Sequence, residues 1–461
     1  MRKSWVSDAI MGLVLTLIVA LGYLVPSIFP FFEGIELKAF DKRSKLRQNL
    51  DPSSEIVLIT IDDASIAQGG RWPWPRLRLA ALLDKLASVH SRVVVLDIVF
   101  SEPEPNQGLI EIENLQSQYR QLKSARKIID QGGAFDALLS LAAQRLDSDS
   151  QLQASLERAR NVVLPMFFAQ GATIGAGSQP LPTVLSSAAL SHQVAPGAFE
   201  EAMPEGIRAV FPIAPFAQAA MGVGSVNVEP DFDGVVRRQS VVTRYFQSYL
   251  PSYPLEIALA YLGIRPAGAT FVWGRELRFA KSVIPLDEHN QMLITFNGPA
   301  QTFRCYSYRD VIQNNVSLDF FKDKIVLVGL TAARAAIFHA TPISRSLSSI
   351  EMTANVVENM LHKKFLVRPP WAQRVEWGLI VLAALFIMVC LPCLELVWGA
   401  ALSFLMMLLI MGAGTYFFVN GQWIKATYPC ALLGLGYLAI ALKRFFAAEK
   451  DKDSKPDSGP L

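Results

Sequence analysis

The sequence predicts an α/β domain with a mostly parallel mixed sheet, flanked by one N-terminal and three C-terminal transmembrane helices. The chain has 461 residues, of which 51% are hydrophobic, and its mean hydropathy is +0.30. This apolar excess is concentrated at the two ends, so the middle has the composition of an ordinary globular domain. In the middle, short apolar runs alternate with segments of helical periodicity, which is typical of a parallel sheet covered on both faces.

Four apolar runs are long enough to cross about 30 Å of hydrocarbon. The first follows Arg2 and Lys3, and its length favours an uncleaved anchor over a signal peptide, since no small-residue cleavage site follows Pro30. The predicted organisation is a short N-terminus at 1–8, transmembrane helices at 9–32, 375–391, 396–419 and 424–442, a large domain at 33–370, and a disordered tail at 443–461. Four spans put both termini on one side, but basic residues flank both sides, so charge leaves the orientation open.

Composition and motifs argue against several classes of protein. The net charge is +3 and no basic stripe with interleaved aromatic residues occurs, so we expect no binding of nucleic acid. The pair Cys390 and Cys393 resembles a CxxC motif without a second pair, and we interpret it as part of a membrane helix. The histidines have no metal-ligand spacing, and no Walker loop, GxSxG or HExxH motif is present. We therefore expect no enzyme, no metal and no cofactor.

The elements of the middle region follow from its periodicity. Apolar runs at 56–61, 93–100 and 161–168 predict buried strands, and 77–89 has the spacing of a helix. The stretch 109–146 predicts a polar, largely helical insertion, whereas 171–204 is rich in small residues and predicts irregular structure.

Two segments carry candidate ligand-binding residues. Asp62 and Asp63 end a predicted parallel strand, where ligands gather in open α/β sheets. In the nearby loop from Gly69 to Arg76, the two arginines could hold an anion and the two tryptophans could form an apolar wall. Alternatively, the tryptophans and prolines simply pack the loop, and the arginines pair with Asp62, Asp63 or Asp97. The other segment, from Asp231 to Gly234, resembles the start of a calcium loop, but position twelve is valine, so a turn is the better interpretation.

The sequence resembles the type-two CHASE domain, a periplasmic or extracellular sensor of bacterial receptors. The resemblance rests on the strand ending in Asp62 and Asp63, the Trp-Pro-Trp-Pro-Arg motif and five further segments, and it extends over about 36–365. The further segments are Asp41–Arg43, Val94–Phe100, Asn227 with Asp231–Arg238, Lys324–Gly329 and Thr341–Pro342.

The resemblance implies a sensor domain outside the cytoplasm, with both termini inside, in a multi-pass protein of the bacterial inner membrane. It also widens the predicted ligand site, whose residues are Asp62, Asp63, Arg71, Trp72, Trp74, Arg76, Asp97, Asn227, Asp231, Asp233, Arg237 and Thr341. The chain departs from the family pattern at Ile337, where an aspartate is common, at Ser348 and Ser349, where Pro-Gly is common, and at Thr353, where histidine is common.

The function expected on these grounds is a membrane-anchored sensor of an unknown stimulus. Because no cyclase or kinase domain follows the last helix, we expect it to signal through a separate cyclase or kinase partner, as a homodimer in the lipid bilayer. A non-signalling envelope scaffold is the alternative, and a periplasmic membrane-bound enzyme is the least supported.

Overall fold

A computed structural model describes residues 2–26, 29–47, 51–125, 133–169, 181–182, 185, 188–193, 206 and 208–453. The chain forms two compact units. The helical unit comprises Met1–Gln48 and Leu366–Leu461, and the α/β unit comprises Asn49–Phe365.

The helices and strands of the described residues alternate through the middle of the chain. The α-helices are α1 (Arg2–Leu24), α2 (Pro30–Leu46), α3 (Asp63–Gly69), α4 (Arg76–Ser88), α5 (Gln107–Ser124), α6 (Ala134–Leu146), α7 (Ser148–Ala159), α8 (Ala214–Ala219), α9 (Tyr253–Leu262), α10 (Tyr308–Ile312), α11 (Ser349–His362), α12 (Ala372–Leu385), α13 (Leu396–Val419) and α14 (Thr427–Asp453). The strands are β1 (Ile56–Ile61), β2 (Val93–Leu96), β3 (Val162–Ala169), β4 (Ser191–Gln193), β5 (Arg208–Val210), β6 (Gly222–Ser225), β7 (Arg238–Ser240), β8 (Val242–Tyr245), β9 (Ser248–Pro251), β10 (Ala269–Val272), β11 (Glu276–Phe279), β12 (Ser282–Pro285), β13 (Gln291–Leu293), β14 (Arg304–Ser307), β15 (Ile325–Leu330), β16 (Phe338–His339) and β17 (Leu347–Ser348).

Among its described residues, the helical unit contains four helices that are long and apolar enough to cross a membrane, one near the N-terminus and three after the α/β unit. These segments are Val6–Leu24, Ala372–Cys393, Leu396–Val419 and Thr427–Ala447. The predicted arrangement of one helix before the α/β domain and three after it is therefore confirmed.

The boundaries of this unit differ from the sequence prediction at both ends. Helix α1 ends at Leu24, and a second helix begins at Pro30, which is a favourable first helical residue because proline lacks the N–H group. The tail predicted to be disordered from Lys443 is instead helical as far as Asp453. Seven of the eleven residues from 443 to 453 are lysine, arginine, alanine or glutamate, which favour helix, and no proline interrupts the segment before Pro456.

Buried ion pairs hold α2 within the helical unit. Glu36 is fully buried and accepts hydrogen bonds from the Trp423 indole (3.0 Å) and from the backbone N–H (3.0 Å) and hydroxyl (2.6 Å) of Thr427. It also pairs with Arg43 at 3.2 Å. Two similar ion pairs occur in the same unit, Lys425 with Glu33 and Arg368 with Glu376, each at 2.7 Å.

The α/β unit is built on a sheet with the strand order β14-β1-β15-β2-β3-β5, and β6 also pairs with β3. All of these pairings are parallel except that of β3 with β5, so the predicted mostly parallel mixed sheet is confirmed. Alternate residues of β1 illustrate why both faces are covered: Val57 and Ile59 belong to the core that includes α4 and α7, whereas Ile56 and Leu58 face α9 and α11. The parallel strands end at one edge of the sheet, and that edge carries the candidate site.

Smaller elements surround this sheet. Strands β4, β10, β11 and β12 form a second sheet, and α5 and α6 form the predicted helical insertion. Most of the stretch 171–204, predicted to be irregular, lies outside the described residues.

Candidate functional site

A cavity of about 560 Å³ opens at the carboxyl edge of the parallel sheet. Ten of its lining residues are apolar and four are polar, which is the usual balance of a small-molecule site. The apolar residues are Trp72, Ile98, Val99, Phe167, Phe168, Val226, Val228, Leu330, Ala335 and Ile337, and the polar ones are Asp97, Asn227, His339 and Ser349. Most of them lie in or directly after β2, β3, β6 and β15. The exceptions are Trp72, which follows α3, His339 in β16, and Ser349 at the start of α11.

Asp97 is the acidic residue of this lining. It directly follows β2, and its backbone N–H donates to Val328 O of β15 at 2.8 Å, which fixes its position at the strand end. Burial raises the pKa of Asp97 to about 6, although a hydrogen bond from Ser349 opposes this effect. The carboxyl group therefore changes charge near neutral pH, which is unusual for aspartate and typical of functional sites.

The start of α11 packs closely on the same strand end because residue 329 is glycine. A Cβ atom at Gly329 would lie 2.9 Å from Ile350 Cδ1 and 3.1 Å from Asp97 Cβ, so these neighbours would have to move to make room for it. The missing side chain lets the first turn of α11 approach Asp97. The positive end of a helix favours an anionic group, so this approach partly offsets the penalty of burial.

Asn227 lines the cavity, but its amide is occupied by the backbone of β3. Its Oδ1 accepts from the N–H of Phe168 at 2.8 Å and from the Ser225 hydroxyl at 2.9 Å, and its Nδ2 donates to Phe168 O at 2.6 Å. These bonds hold Phe167 and Phe168 in the cavity wall. Asn227 thus positions the wall and has little hydrogen-bonding capacity left for a ligand.

His339 contributes a second titratable group to the lining. Burial lowers its pKa below the usual value, so the imidazole is neutral at physiological pH. It therefore provides no positive charge for Asp97, and it can donate or accept one hydrogen bond.

Asp62 and Asp63 lie outside the cavity lining. Asp62 caps α3 by accepting from the Ser65 N–H at 2.8 Å, and it also accepts from the Ser307 hydroxyl at 3.1 Å. Burial raises the pKa of Asp62, but these hydrogen bonds outweigh that effect and the net pKa lies below the usual value. Asp63 is exposed, and it accepts a long bond from Ala333 N.

The Trp-Pro-Trp-Pro-Arg motif is mainly structural. Trp74 is buried, donates to Gly70 O at 2.9 Å, and packs against the Tyr308 ring at 4.8 Å. The Arg76 guanidinium bonds to Asp149 and to a backbone carbonyl at Glu102, rather than to Asp62, Asp63 or Asp97. Arg71, which directly precedes the motif, is exposed. Of the motif residues, Trp72 lines the cavity.

Asp231, Asp233 and Arg237 form a separate ion cluster. Arg237 is 1% exposed and donates to Asp231 at 2.8 Å and to Asp233 at 2.8 and 2.9 Å. Gly234, with φ of +79°, closes the turn as predicted, and the carboxylates are neutralised by arginine rather than arranged around an ion. Thr341 likewise closes a turn, since its hydroxyl bonds to the Ser344 carbonyl at 3.0 Å.

The structure therefore brings three of the twelve predicted site residues into one cavity, namely Trp72, Asp97 and Asn227. Sequence reasoning missed Phe167 and Phe168, although the rule that ligands bind beyond parallel strand ends would have pointed to them. It also missed Ser349 as a lining residue, because its contact with Asp97 depends on how α11 packs.

Fold and cavity together define a class of protein: an α/β domain with a ligand-sized cavity, in a chain that also carries four candidate membrane helices. The CHASE2 domain family matches residues 11–392, and the chain belongs to this family of sensor domains. No curated protein and no solved structure matches it.

Proposed function

We propose that this protein is a membrane-anchored sensor of a small, mostly apolar molecule that carries a cationic amino group. The ligand occupies the cavity at the sheet edge, and its amino group pairs with Asp97. The observation that carries this proposal is that Asp97 is the one carboxyl group among the described residues that line an apolar cavity of about 560 Å³.

The chemistry of the lining supports this ligand class. Aromatic and aliphatic walls from Trp72, Phe167 and Phe168 favour an apolar body, whereas Asp97 offers one strong acceptor. A cation would stabilise the ionised form of Asp97, whereas an anionic ligand would be repelled by it unless the group were protonated. Affinity for an amine should thus increase as pH rises through about 6, and affinity for an acid should decrease.

Two lining residues would adapt the family site to this chain. Ile337 stands where the resemblance implies an aspartate, and Ser349 where it implies glycine. The first change makes the wall more apolar, and the second adds a hydroxyl that bonds to Asp97. Both changes leave Asp97 as the acid of the described lining.

The biological setting is part of the proposal. We place the α/β unit in the periplasm of a bacterium, with the helical unit in the inner membrane, because the family consists of extracellular-type sensors. We further propose that ligand occupancy is passed to a separate cyclase or kinase partner.

A matched ligand series tests the proposal. The full chain in detergent would be melted with phenethylamine, 2-phenylethanol and 3-phenylpropionate, which share a phenyl group and differ in their polar group. A ligand present at 100 times its dissociation constant stabilises by about 2.7 kcal/mol, so binding is visible as a rise in melting temperature. We expect the amine to raise the melting temperature most at pH 7.5.

Two variants make the result specific. Asp97→Asn should remove most of the response to the amine, whereas Asp63→Asn should retain it, because Asp63 is an exposed strand-end carboxylate outside the cavity lining. A larger response to the propionate, or equal responses in both variants, would refute the assignment of Asp97.

A further inference from the structure

The insertion formed by α5 and α6 is an antiparallel hairpin. Gln116 meets Ser140, Arg120 meets Asp136, and the rings of Tyr119 and Phe135 lie 5.0 Å apart, so residues on the two helices pair in opposite order. The two helices pack mainly on each other.

One side of this hairpin is closed by polar contacts. The Gln116 amide donates to the Ser140 hydroxyl at 2.7 Å and to Asp136 at 3.2 Å, and Arg120 pairs with Asp136 at 3.2 Å. These four residues form what we call the polar seam.

The opposite side exposes four large apolar side chains, Leu115, Leu122, Phe135 and Leu138, each between 40% and 62% exposed. Helical geometry places them together. At about 100° per residue, Tyr119 is rotated about 60° from Gln116, and Leu115 and Leu122 follow in the same sense at about 100° and 120°.

The same geometry applies to α6. Phe135 is rotated about 100° from Asp136, and Leu138 about 60° further in the same sense. Because the rings of Tyr119 and Phe135 touch, the two sets of residues lie on one side of the hairpin, away from the polar seam. We call this the apolar side.

Charged residues at the base of the hairpin complement each other across a two-fold axis. Glu111 of α5 and Arg145 of α6 are exposed, lie at the same height, and border the apolar side. A two-fold axis along the hairpin would place Glu111 of one copy beside Arg145 of the other. It would also pack each α5 against an antiparallel α6, which is the arrangement of a four-helix bundle.

We propose that the apolar side of the α5–α6 hairpin is a homodimer interface, at which two copies of this chain form a four-helix bundle. The occupant is a second copy because the surface is apolar and its bordering charges, Glu111 and Arg145, are complementary across the two-fold axis. Anchoring in one membrane raises the effective concentration of the copies and favours such contacts. This interface is independent of ligand binding at Asp97, so either proposal can fail alone.

Disulfide cross-linking between two differently tagged copies tests the interface. The pairings of the polar seam put Gln118 and Leu138 at the same height, so in the bundle Gln118 of one copy faces Leu138 of the other. With the exposed Cys390 and Cys393 changed to serine, one copy would carry Gln118→Cys and the other Leu138→Cys. We expect oxidation in membranes to give a covalent heterodimer.

The matched control replaces Leu138→Cys with Ala137→Cys. Ala137 is also exposed but is rotated by about 100° away from the apolar side, so we expect at least a severalfold lower cross-linked fraction. Equal cross-linking of the two pairs, or none with Leu138→Cys, would overturn the proposal.

Charge reversal gives a second, independent readout. Glu111→Arg and Arg145→Glu should each reduce cross-linking between Gln118→Cys and Leu138→Cys by about two- to fivefold, because like charges would then meet. The double variant should restore it. If both single variants cross-link like the parent, the two-fold arrangement is wrong.

A lipid surface is the rival occupant of an exposed apolar helix face. A fluorophore attached at Leu138→Cys would be quenched by spin-labelled lipids if the apolar side lay in the bilayer. In the dimer that site is buried against protein, so we expect no quenching, and strong quenching would contradict the interface.

Discussion

Buried carboxyl groups of the helical unit have cationic partners, whereas the carboxyl group in the cavity of the α/β unit lies among apolar residues. In the helical unit, Glu33, Glu36 and Glu376 each pair with a cation within the unit. In the cavity, Asp97 faces apolar walls and a neutral histidine. Glu256 of α9 is a second poorly partnered carboxyl group in the α/β unit. It is 3% exposed, and its Oε2 has no hydrogen-bond partner among the described residues.

This difference separates two roles of buried charge. A paired charge keeps its ionisation state and fixes the packing of the elements that carry it. A buried carboxyl group without a cationic partner has a raised pKa, so its ionisation state changes with pH and with the binding of a cation. The comparison therefore assigns structure to the pairs and responsiveness to Asp97.

The largest effect is expected from breaking a pair in the helical unit. Glu36→Ala leaves Arg43 buried without its carboxylate and should destabilise the full chain by about 3–5 kcal/mol. A melt in detergent measures this. The double variant Glu36→Ala with Arg43→Met should recover part of the loss, and a single variant that melts like wild type would show that the pair is not structural.

The next largest change in stability is expected for Glu256→Gln, which should stabilise the protein at high pH rather than destabilise it. Burial raises its pKa to about 8, so the folded state holds the proton more tightly than the unfolded state. Stability is then highest at acidic pH and falls as pH rises from about 4.5 to about 8. Glu256→Gln should raise stability at pH 9 by about 2–4 kcal/mol and change it little at pH 4. Urea unfolding at the two pH values tests this, and an equal effect at both would contradict it.

Asp97→Asn should stabilise the protein by about 1–3 kcal/mol above pH 6. Burial raises the pKa of Asp97 to about 6, so stability is lost as pH rises from about 4 to about 6 and stays lower above that range. Below pH 4 the variant and wild type should melt alike. A variant that destabilises at pH 8 would mean that Asp97 has a cationic partner in the folded protein.

The smallest change in stability is expected for Asp233→Asn. Its pH dependence is opposite to that of Glu256 and Asp97, because the pKa of Asp233 is lowered rather than raised. Hydrogen bonding to Arg237 holds the pKa of Asp233 below its usual value. Its contribution is therefore present above about pH 4 and disappears as pH falls further. Asp233→Asn should cost about 1 kcal/mol at pH 7, measured by urea unfolding, because the carboxylate is partly exposed. A loss that persists at pH 2.5 would reflect packing rather than charge.

Local pattern predicted much of the fold, whereas contacts between distant residues decided the site. Strand β1, helix α4 and the membrane helices follow from hydrophobic periodicity and length. The partners of Arg76 and Glu36 could not be predicted, because Asp149 and Thr427 lie 73 and 391 residues away along the chain. The charged segment that forms α2 gives no local sign of burial, although its Glu33 and Glu36 are buried. Glu33 pairs with Lys425 and Glu36 with Arg43.

The same limit applied to the cavity. Asp97 and Trp72 were predicted because they lie at strand ends or in a motif, which local sequence reveals. The occupied amide of Asn227 was not predictable, since its partner Phe168 belongs to another strand. The roles of Ile337 and Ser349 depend on the loop before α11, whose path no local pattern defines.

Proton release on ligand binding tests the central claim most directly. At pH 6, Asp97 is about half protonated, and an ammonium ligand should shift it to the ionised form and release about half a proton per ligand. Calorimetric titration of the full chain with phenethylamine in two buffers of different ionisation enthalpy counts these protons. The account predicts release in the wild type and in Asp63→Asn, and none in Asp97→Asn. Proton uptake, or the same release from Asp97→Asn, would contradict it.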